Sequence, residues 1–328
     1  MNSKESDRDV ILIVDALNLF TRHFIAHPAM GKDGQHVGGI VGFLYALTNL
    51  AERYRPMSVI VIWESGGSKI KRDIYKEYKQ HRRPQKLNRF YKDDIPDSIK
   101  NRNHQISTLV QVMSNIPIIQ IYVPDCEADD VIGYISKYKF RNNKKLIVSS
   151  DKDFYQLLDK NTIIYSPTWK KLVTSKEVCE KFRISPENFC LAKAVCGDPS
   201  DNIKGVDRAG FKSLAKRFPE FSHDDTFQID DLMQRCNEMI AEGVTLKIVQ
   251  NIHESEDLIR RNWRLMYLDT KNLAASQILK VNNIIDTFEQ NRNKIEIMRI
   301  LLKEGIQEFN VDRMFLSLSA VSNDNVRK

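Results

Sequence analysis

Acidic residues follow four apolar segments of this sequence, at the point where each segment ends. Asp15 follows VILIV, and Glu64 follows SVIVIW. The motif EADD at residues 127–130 comes shortly after IPIIQIYV, and SSDKDF at 149–154 continues the segment KKLIV. One acid in such a position more often caps a helix or forms a turn. Several that converge need cations among them, because two carboxylates about 4 Å apart repel by roughly 4 kcal/mol.

The chemistry that this pattern favours is the binding of divalent metal ions. The candidate ligands are oxygen donors with no His or Cys at matching positions, and such sets select hard ions such as Mg²⁺ or Mn²⁺ over zinc. A further stretch, CGDPSDNIKGVDRAG, places two acids in a turn that can point back to the same site. Taken alone, an ordinary helix–helix loop explains that turn equally well. The predicted metal-site residues are Asp15, Glu64, Glu127, Asp129, Asp130, Asp151, Asp153, Asp198 and Asp201.

The elements that must position these acids are predicted from hydrophobic patterning. Continuous apolar runs rich in β-branched residues are typical of strands buried on both faces. We predict such strands at 10–14, 58–63, 116–123, 144–150 and 161–166, and a short edge strand in PTWKKLV. Helical patterns lie between them, at 38–54, 98–114, 127–139 and 152–159. This alternation predicts an α/β fold with a parallel sheet, whose carboxyl edge would receive the acids.

Residue 174 is the predicted boundary between two domains. The strand pattern stops there, so we predict an α/β domain at 1–174 and a helical domain at 175–328. One helix start is indicated by Ser185, which precedes a proline. The segment VDRMFLSLS near the end of the sequence indicates a last packed helix rather than a docking tail.

Charge and composition bound the possible functions. The chain has 328 residues, is 42% hydrophobic and carries a formal net charge of +7, which indicates a polyanionic partner. Residues 69–102 alone hold 12 Lys and Arg against 5 Asp and Glu. The apolar runs are too short to span a bilayer and the N-terminus lacks a secretory leader, so we expect a cytoplasmic protein. Five cysteines without a C-x-x-C pair predict reduced thiols rather than zinc or disulfides.

Five motifs are informative when they are taken together: VDALNLFTR, YKEYKQHRRP, EADD, SSDKDF and GDPSDNIKGV. In this order and spacing, EADD, SSDKDF and the GDPSDN of the last motif are jointly highly specific, although none would be so alone. Over about residues 10–218 the sequence resembles the structure-specific 5′-nucleases of the flap endonuclease class, and in particular its phage members such as the T-even phage ribonuclease H. The resemblance implies a PIN-like α/β nuclease domain, a helix-three-turn-helix element near 190–220 and a metal-dependent phosphodiesterase site.

The acids fit this resemblance with one departure. The positions that match metal-site acids of the family are Asp15, Glu127, Asp129, Asp130, Asp151, Asp153, Asp198 and Asp201. Glu64 stands where the family usually has Asp. Its longer side chain keeps a carboxylate, so we expect it to reach the metal directly or through water.

The resemblance also implies how DNA is held. The basic segment near 66–95 is expected to form an arch or bridge through which a 5′ single strand passes. Lys71 or Arg72 and Lys79 are the candidates to balance the charge that develops on the phosphate during catalysis. The other residues expected to contact DNA, by charge, by stacking or through the backbone, are Arg22, Tyr75, Lys76, Tyr78, Arg82, Arg83, Gly205, Gly210 and Lys212.

The turn GVDRAG at 205–210 is expected to grip the backbone of the duplex. A glycine-bounded turn between helices exposes N–H groups that hold phosphate, and in the family a monovalent ion often assists, so K⁺ is a candidate ligand. Asp207 and Arg208 stand where the family more often has small or apolar residues.

The predicted activity is that of a Mg²⁺-dependent 5′-3′ exonuclease and flap endonuclease, with ribonuclease H activity on RNA–DNA hybrids. It would remove RNA primers and 5′ flaps during replication. Two ions, for which Mn²⁺ can substitute, would activate water and stabilise the leaving oxygen. The expected partners are DNA with 5′ flaps or ends and RNA–DNA hybrids, with a replication clamp or a single-strand-binding protein as further candidates. We expect a monomer without membrane association.

Two alternative functions stay open at this point. A branched-DNA binding protein with an impaired nuclease site is favoured only by Glu64, and the other acids argue against it. A PIN-type ribonuclease acting on single-stranded RNA would leave the glycine-bounded turn and the basic segment unexplained.

Overall fold

The fold is built on one six-stranded sheet. The computed structural model describes residues 9–64, 66–80 and 98–323. The strands are β1 Val10–Asp15, β2 Ser58–Trp63, β3 Ile119–Tyr122, β4 Lys144–Val148, β5 Thr162–Ser166 and β6 Lys171–Val173. Their order across the sheet is β3-β2-β1-β4-β5-β6. β1 to β5 are parallel, and β6 pairs with β5 antiparallel at the edge.

The central strands are buried on both faces, as their continuous apolar sequence predicts. Along β1, Ile11 and Ile13 pack into the core on one face, whereas Leu12 and Val14 pack into a second core on the opposite face. All four side chains are fully buried. Because burial of one such side chain contributes roughly 1.5–3 kcal/mol, the two cores hold the sheet rigidly and fix the positions of the residues that follow each strand.

The first half of the chain supplies helices to both faces. These helices are α1 Ala16–Ala26, α2 Gly38–Tyr54, α3 Lys69–Ile74, α4 Ser98–Met113 and α5 Ala128–Tyr134. A π-helical turn, Ile135–Lys139, continues α5, and a 3₁₀ helix, Lys152–Leu157, follows β4. Residues of α1, α2 and α4 form one core with the sheet, and residues of α5 belong to the other.

The second half of the chain is helical. Its helices are α6 Ser175–Phe182, α7 Pro186–Cys196, α8 Phe211–Arg217, α9 Ile229–Ala241, α10 Lys247–Glu254, α11 Glu256–Met266, α12 Ala275–Asp286, α13 Lys294–Lys303 and α14 Val311–Ser319. α13 and α14 return to the face that α1, α2 and α4 cover, where Ile297 and Met314 are fully buried. The division of the chain at residue 174 stays a prediction.

Most of the predicted elements are confirmed within three residues, including every strand and the helices at 38–54 and 98–114. The hydrophobic patterning does not predict α1, which the structure contains. Residues 127–139 change from α-helical to π-helical geometry, and 152–159 form a 3₁₀ helix instead of an α-helix. Short helices at strand ends depend on the residues they pack against more than on an apolar period of their own.

Three smaller predictions also have an outcome. The five cysteines are free thiols, of which Cys126, Cys190 and Cys236 are buried. VDRMFLSLS forms α14 with Leu318 buried, which confirms the packed last helix. Within the described ranges, no helix combines the length and apolar character needed to cross a bilayer.

Candidate active site

The register of the parallel strands gathers acids at one edge of the sheet. Asp15 ends β1, and Glu64 directly follows the neighbouring strand β2. Val14 pairs with Val148, which brings the start of the next loop beside Asp15. There the Ser149 hydroxyl donates a hydrogen bond to Asp15 Oδ2 at 3.0 Å. Adjacent strands thus place these groups together at the carboxyl edge, where open parallel sheets bind ligands.

The start of α5 carries a buried cluster of opposite charges. Glu127 and Asp130 are almost fully buried, and Lys71 from α3 contacts both. Its Nζ lies 2.8 Å from Glu127 Oε2 and 2.9 Å from Asp130 Oδ1. The Tyr78 hydroxyl donates to Glu127 Oε2 at 3.0 Å, and Asn272 Nδ2 donates to Asp130 Oδ1 at 3.2 Å. The basic segment is therefore fastened to the sheet edge by buried ion pairs.

Lys79 links this cluster to the turn that follows α7. Its Nζ lies 2.5 Å from Glu127 Oε1 and 3.9 Å from Asp201 Oδ2, and its backbone N–H donates to the Asp201 carbonyl at 3.0 Å. Burial alone would raise the pKa of Glu127, but Lys71 and Lys79 lower that pKa to about 2. The Glu127 carboxylate therefore stays ionised at neutral pH, and both lysines remain its partners.

A second acidic group lies where the 3₁₀ helix meets the turn after α7. Carboxylate oxygens of Asp153, Asp198 and Asp201 lie within 4.8 Å of one another. Lys193 of α7 forms an ion pair with Asp153, and its Nζ lies 2.7 Å from Asp198 Oδ2. Burial raises the pKa of Asp153 to about 6 even though Lys193 opposes the rise, and Asp151 adds to it. Three oxygen donors at this spacing suit one hard cation.

The carboxylates beside β1 repel one another. Burial raises the pKa of Asp15 to about 7, and the neighbouring Asp151 and Glu64 contribute to the rise. Burial also raises the pKa of Asp129 well above its usual value, and Asp151 and Asp15 again add repulsion. These groups become stable as anions at neutral pH when positive charge lies among them.

The donor set fits divalent metal ions. Among the described residues, the lysines that form ion pairs with members of the predicted acidic set are Lys71, Lys79 and Lys193. Within this part of the chain, the nine acids outnumber these three cations. Every candidate ligand is a carboxylate oxygen, the donor type that Mg²⁺ and Mn²⁺ prefer. The sheet edge can therefore bind divalent cations.

Several of these acids also cap helices. Asp15 Oδ1 accepts a hydrogen bond from the Asn18 N–H at 3.2 Å at the start of α1. Asp151 Oδ1 accepts one from the Asp153 N–H at 2.9 Å at the start of the 3₁₀ helix. A carboxylate has a second oxygen and further lone pairs, so capping orients these groups and leaves them able to bind a cation.

The described part of the basic segment, residues 66–80, divides its cations between the interior and the surface. Lys71 is 2% exposed and Tyr78 is 7% exposed, so both lie inside the protein rather than where a strand on the surface reaches them. Arg72 and Lys76 are exposed. The contacts expected of Lys71 with phosphate and of Tyr78 with a base therefore do not fit this arrangement, in which both side chains hold Glu127.

The remaining candidates of the basic segment differ in their surroundings. Tyr75 is half-buried, and the guanidinium of Arg261 lies 4.3 Å from the centre of its ring. One face of that ring is therefore already occupied. Arg82 and Arg83 lie outside the described residues.

The turn between α7 and α8 depends on a close backbone contact. A Cβ at Gly205 would lie 2.1 Å from the Cys196 carbonyl oxygen, so no side chain fits there. Gly210 precedes α8, and its N–H donates to Ser213 Oγ at 2.9 Å. Lys212 in the first turn of α8 is exposed. The N–H of Gly210, one of the expected backbone donors, is thus already hydrogen-bonded, and exposed cations lie on both sides of it, at Arg208 and Lys212.

Some side chains in contact with the acids have no role in the prediction from sequence. They include Lys193, Asn272, Ser149 and Ser200. Lys193 is the one cation in the stretch FCLAKAVC, and that isolation is a signal that could have identified it. Asn272 lies 142 positions from Asp130, so no local pattern points to their contact.

A parallel α/β sheet whose carboxyl edge gathers buried acids, beside a basic segment and a helix–turn–helix, is the arrangement of a nuclease that hydrolyses phosphodiesters. The sequence matches the family described as 5′-3′ exonuclease, N-terminal resolvase-like domain, over residues 10–183, and the chain belongs to that family. The chain is therefore a hydrolase of nucleic acids, and its predicted PIN-like α/β fold is confirmed.

Relatives and solved structures agree with this assignment. The chain is 31% identical over 216 residues to a 5′-3′ exonuclease of Buchnera aphidicola, covering 65% of this chain and 71% of that protein. It is 25% identical over 312 residues to a 5′-3′ exonuclease of Aquifex aeolicus, covering 94% and 97%. The fold is similar to that of the bacteriophage T5 D15 flap endonuclease in a complex with DNA and metal ions. That similarity has a TM-score of 0.64 and 21% identity, and covers 91% of this chain and all of that one.

Proposed function

We propose that this chain is a Mg²⁺-dependent, structure-specific 5′-nuclease that removes RNA primers and 5′ flaps in DNA replication. Its substrates would be DNA with 5′ flaps or ends and the RNA strand of RNA–DNA hybrids. Its family and relatives support the 5′-3′ exonuclease activity. The similarity of its fold to the bacteriophage T5 D15 flap endonuclease supports flap cleavage. The observation that carries the proposal is the gathering of carboxylates from five separate chain segments at one sheet edge, where burial and mutual repulsion raise the pKa values of Asp15 and Asp129.

The bound ions would activate the attacking water and stabilise the leaving oxygen, as paired metal ions do in other phosphodiesterases. We propose that the acids form two ligand groups. One group comprises Asp153, Asp198 and Asp201, and the other comprises Asp15, Asp129 and Asp151, with Glu64 adjoining it. The closeness of three oxygens supports the first group. The raised pKa values of Asp15 and Asp129, to which the charge of Asp151 contributes, support the second.

The lysines of the site have different roles in this proposal. Lys71 holds α3 against the sheet, keeps Glu127 ionised and opposes the rise that burial causes in the pKa of Asp130. Lys79 is about 15% exposed on its side chain, so it can meet a substrate phosphate while it remains beside Glu127. Lys193 orients Asp153 and Asp198. A fixed ammonium beside the phosphate stabilises the charge that develops on its oxygens.

Recognition of the substrate is assigned to the basic segment and to the turn before α8. The exposure of Arg72, Lys76 and Lys212 supports contacts of these side chains with phosphates, and such contacts supply most of the affinity for nucleic acid. The predicted K⁺ site stays a prediction. In its turn Arg208 Nε lies 3.7 Å from Asp207 Oδ2, so a guanidinium already occupies one side of that carboxylate.

The proposal is tested with three labelled substrates, each incubated with Mg²⁺ or with EDTA. We expect cleavage of a 5′-flap DNA near its single-strand junction and of the RNA strand in an RNA–DNA hybrid, and no cleavage in EDTA. Faster cleavage of unpaired single-stranded RNA would identify a PIN-type ribonuclease instead. Binding of the flap without cleavage in Mg²⁺ or Mn²⁺ would identify a branched-DNA binding protein.

A further inference from the structure

A cavity of about 430 Å³ lies between α1, α2 and the turn that joins β5 to β6. Its described lining includes three permanent cations, Arg22, Arg53 and Lys170, and two histidines, His23 and His27. None of the described residues that line it is Asp or Glu. Clefts of this size commonly hold small ligands, and this lining selects an anionic one.

The electrostatic environment of His23 supports this selection. Burial lowers the pKa of His23 to about 4, and His27, Arg22 and Lys170 add to the lowering. The positive charge of these neighbours disfavours the protonation of His23. A bound anion would relieve that repulsion, since nearby opposite charges stabilise the charged forms of such groups.

The walls of the cavity suit a nucleotide. Tyr45 and Tyr165 line it beside the cations, and both are half-buried. An aromatic ring can stack on a base, while arginine presents a planar set of donors that matches the oxygens of a phosphate. A nucleoside monophosphate unit combines these two features.

The cavity is connected to the acidic edge of the sheet. Arg22 Nη1 donates to Thr168 Oγ1 at 3.1 Å, and Thr168 Oγ1 donates to Ser150 Oγ at 2.8 Å. Ser150 directly precedes Asp151. Arg22 also follows Asp15 by seven residues along α1, a rise of about 10 Å. This distance corresponds to about three steps along a DNA strand, so one strand can reach both sites.

We propose that this cavity is a non-catalytic binding site for a nucleoside monophosphate unit, held through its phosphate by Arg22, Arg53 and Lys170. The unit belongs either to a bound DNA strand or to a mononucleotide released by cleavage, and both present the same chemistry. The site is distinct from the carboxylate groups and binds its phosphate without a divalent ion.

The first test is calorimetric titration with 2′-deoxyadenosine 5′-monophosphate in EDTA, with deoxyadenosine as the probe that lacks phosphate. We expect the wild type to bind the monophosphate and not deoxyadenosine. For Arg53→Gln/Lys170→Gln we expect the Kd of the monophosphate to rise about tenfold, because hydrogen bonds to charged groups are lost. The matched control is Arg141→Gln/Lys160→Gln, which removes two exposed charges near the opposite edge of the sheet. Its Kd should stay within about twofold of the wild-type value. Thermal unfolding verifies that both variants are folded.

The second test distinguishes the two sources of the phosphate through the KM for a 5′-flap DNA. A KM raised about tenfold in Arg53→Gln/Lys170→Gln identifies a phosphate of the bound strand, whereas weaker monophosphate binding with an unchanged KM identifies the released mononucleotide. If the variant changes neither quantity relative to wild type, the proposal is overturned. Failure of the wild type to cut flaps would contradict the nuclease function, while the titration would still decide the cavity.

Discussion

Lys71 carries its charge into the interior, where its ammonium contacts Glu127 and Asp130. Five positions later Lys76 is exposed in the same basic segment. The sequence predicts the excess of positive charge in this segment correctly, but it cannot distinguish these two lysines. Which of them is buried depends on carboxylates at least 50 positions away in the chain. The role of each lysine in this site therefore depends on the carboxylates that it contacts in the folded protein.

Replacement of Lys71 by methionine should destabilise the protein by about 3–5 kcal/mol, because two buried carboxylates lose their common partner. Urea unfolding measures this change. Lys76→Met, the matched control on the exposed side of the segment, should change the free energy of unfolding by about 0.5 kcal/mol or less. Equal stabilities for Lys71→Met and the wild type would contradict a structural role for Lys71.

Asp15 should make the metal-free protein less stable as the pH rises. Its pKa is raised to about 7 in the folded state, so the folded protein retains a proton that the unfolded chain releases above about pH 4. The stability that this proton contributes is complete below about pH 4 and is lost as the pH rises through about 7. Glu127, with a pKa lowered to about 2, does not titrate in this range.

The measurement is the free energy of unfolding in EDTA between pH 5 and pH 8. The wild type should lose about 3 kcal/mol more than Asp15→Asn over this range, since one pKa unit corresponds to about 1.4 kcal/mol. Addition of Mg²⁺ at pH 8 should restore stability to the wild type. Parallel pH profiles for the two proteins would show that burial and the acidic neighbours do not raise the pKa of Asp15.

The turn between α7 and α8 shows how an element can be set by one glycine. Gly205 lies against the Cys196 carbonyl oxygen, where a Cβ would approach to 2.1 Å, and Gly197 on the other side of the contact has a φ of 77°. This packing brings Asp198 and Asp201 back toward Asp153. The position of two candidate ligands therefore depends on the geometry of the turn.

Gly205→Ala should disrupt this turn, whereas Gly210→Ala should be tolerated. At Gly210 the nearest atom to an added Cβ is Ser213 Oγ at 3.9 Å, an ordinary contact. We expect a loss of about 1–3 kcal/mol of stability and weaker flap binding for Gly205→Ala alone. Thermal unfolding and equilibrium binding measure both effects, and similar results for the two variants would contradict this account of the turn.

At the scale of elements, the sequence predicts those with a strong pattern of their own. Continuous apolar runs identify β1 and β2, because both faces of these strands are buried. α1 is not predicted, since it begins at Ala16 directly after β1, with no loop between the strand and the helix. Asp153 and Asp198 are both predicted as metal ligands, but their common contact with Lys193 is not, because that lysine lies inside an apolar helix.

At the scale of the whole molecule, charge is separated between the site and the rest of the surface. The formal net charge is +7, although nine of the 43 acidic residues belong to the candidate site. The remainder of the chain is therefore more strongly basic than the total indicates. Such a surface binds DNA phosphates with release of counter-ions, so its affinity depends steeply on salt. The packing of α13 and α14 on the sheet face is also a property of this scale, and no local pattern predicts it.

The affinity for a 5′-flap DNA should decrease linearly with salt concentration on logarithmic axes, with a slope of about −3 or steeper. Lys212→Gln should make this slope less steep by about one, the change expected for one lost phosphate contact. Arg141→Gln, which removes an exposed charge near the opposite edge of the sheet, should leave the slope unchanged. Fluorescence anisotropy between 50 and 200 mM salt, roughly the range over which this effect is large, tests the difference. Equal slopes for wild type and Lys212→Gln would show that Lys212 of α8 makes no contact with a DNA phosphate.

The proposed function requires that the carboxylates at the sheet edge bind the metal ions that phosphodiester cleavage needs. The most direct measurement is cleavage of a 5′-labelled flap DNA in Mg²⁺ by the wild type and by Asp151→Asn, with flap binding measured in parallel. We predict that the wild type cuts near the single-strand junction and that the variant binds the flap but cuts it about 100-fold more slowly or less. If the two proteins bind equally and neither cuts in Mg²⁺ or Mn²⁺, or if both cut at the same rate, the acidic edge is not the catalytic site.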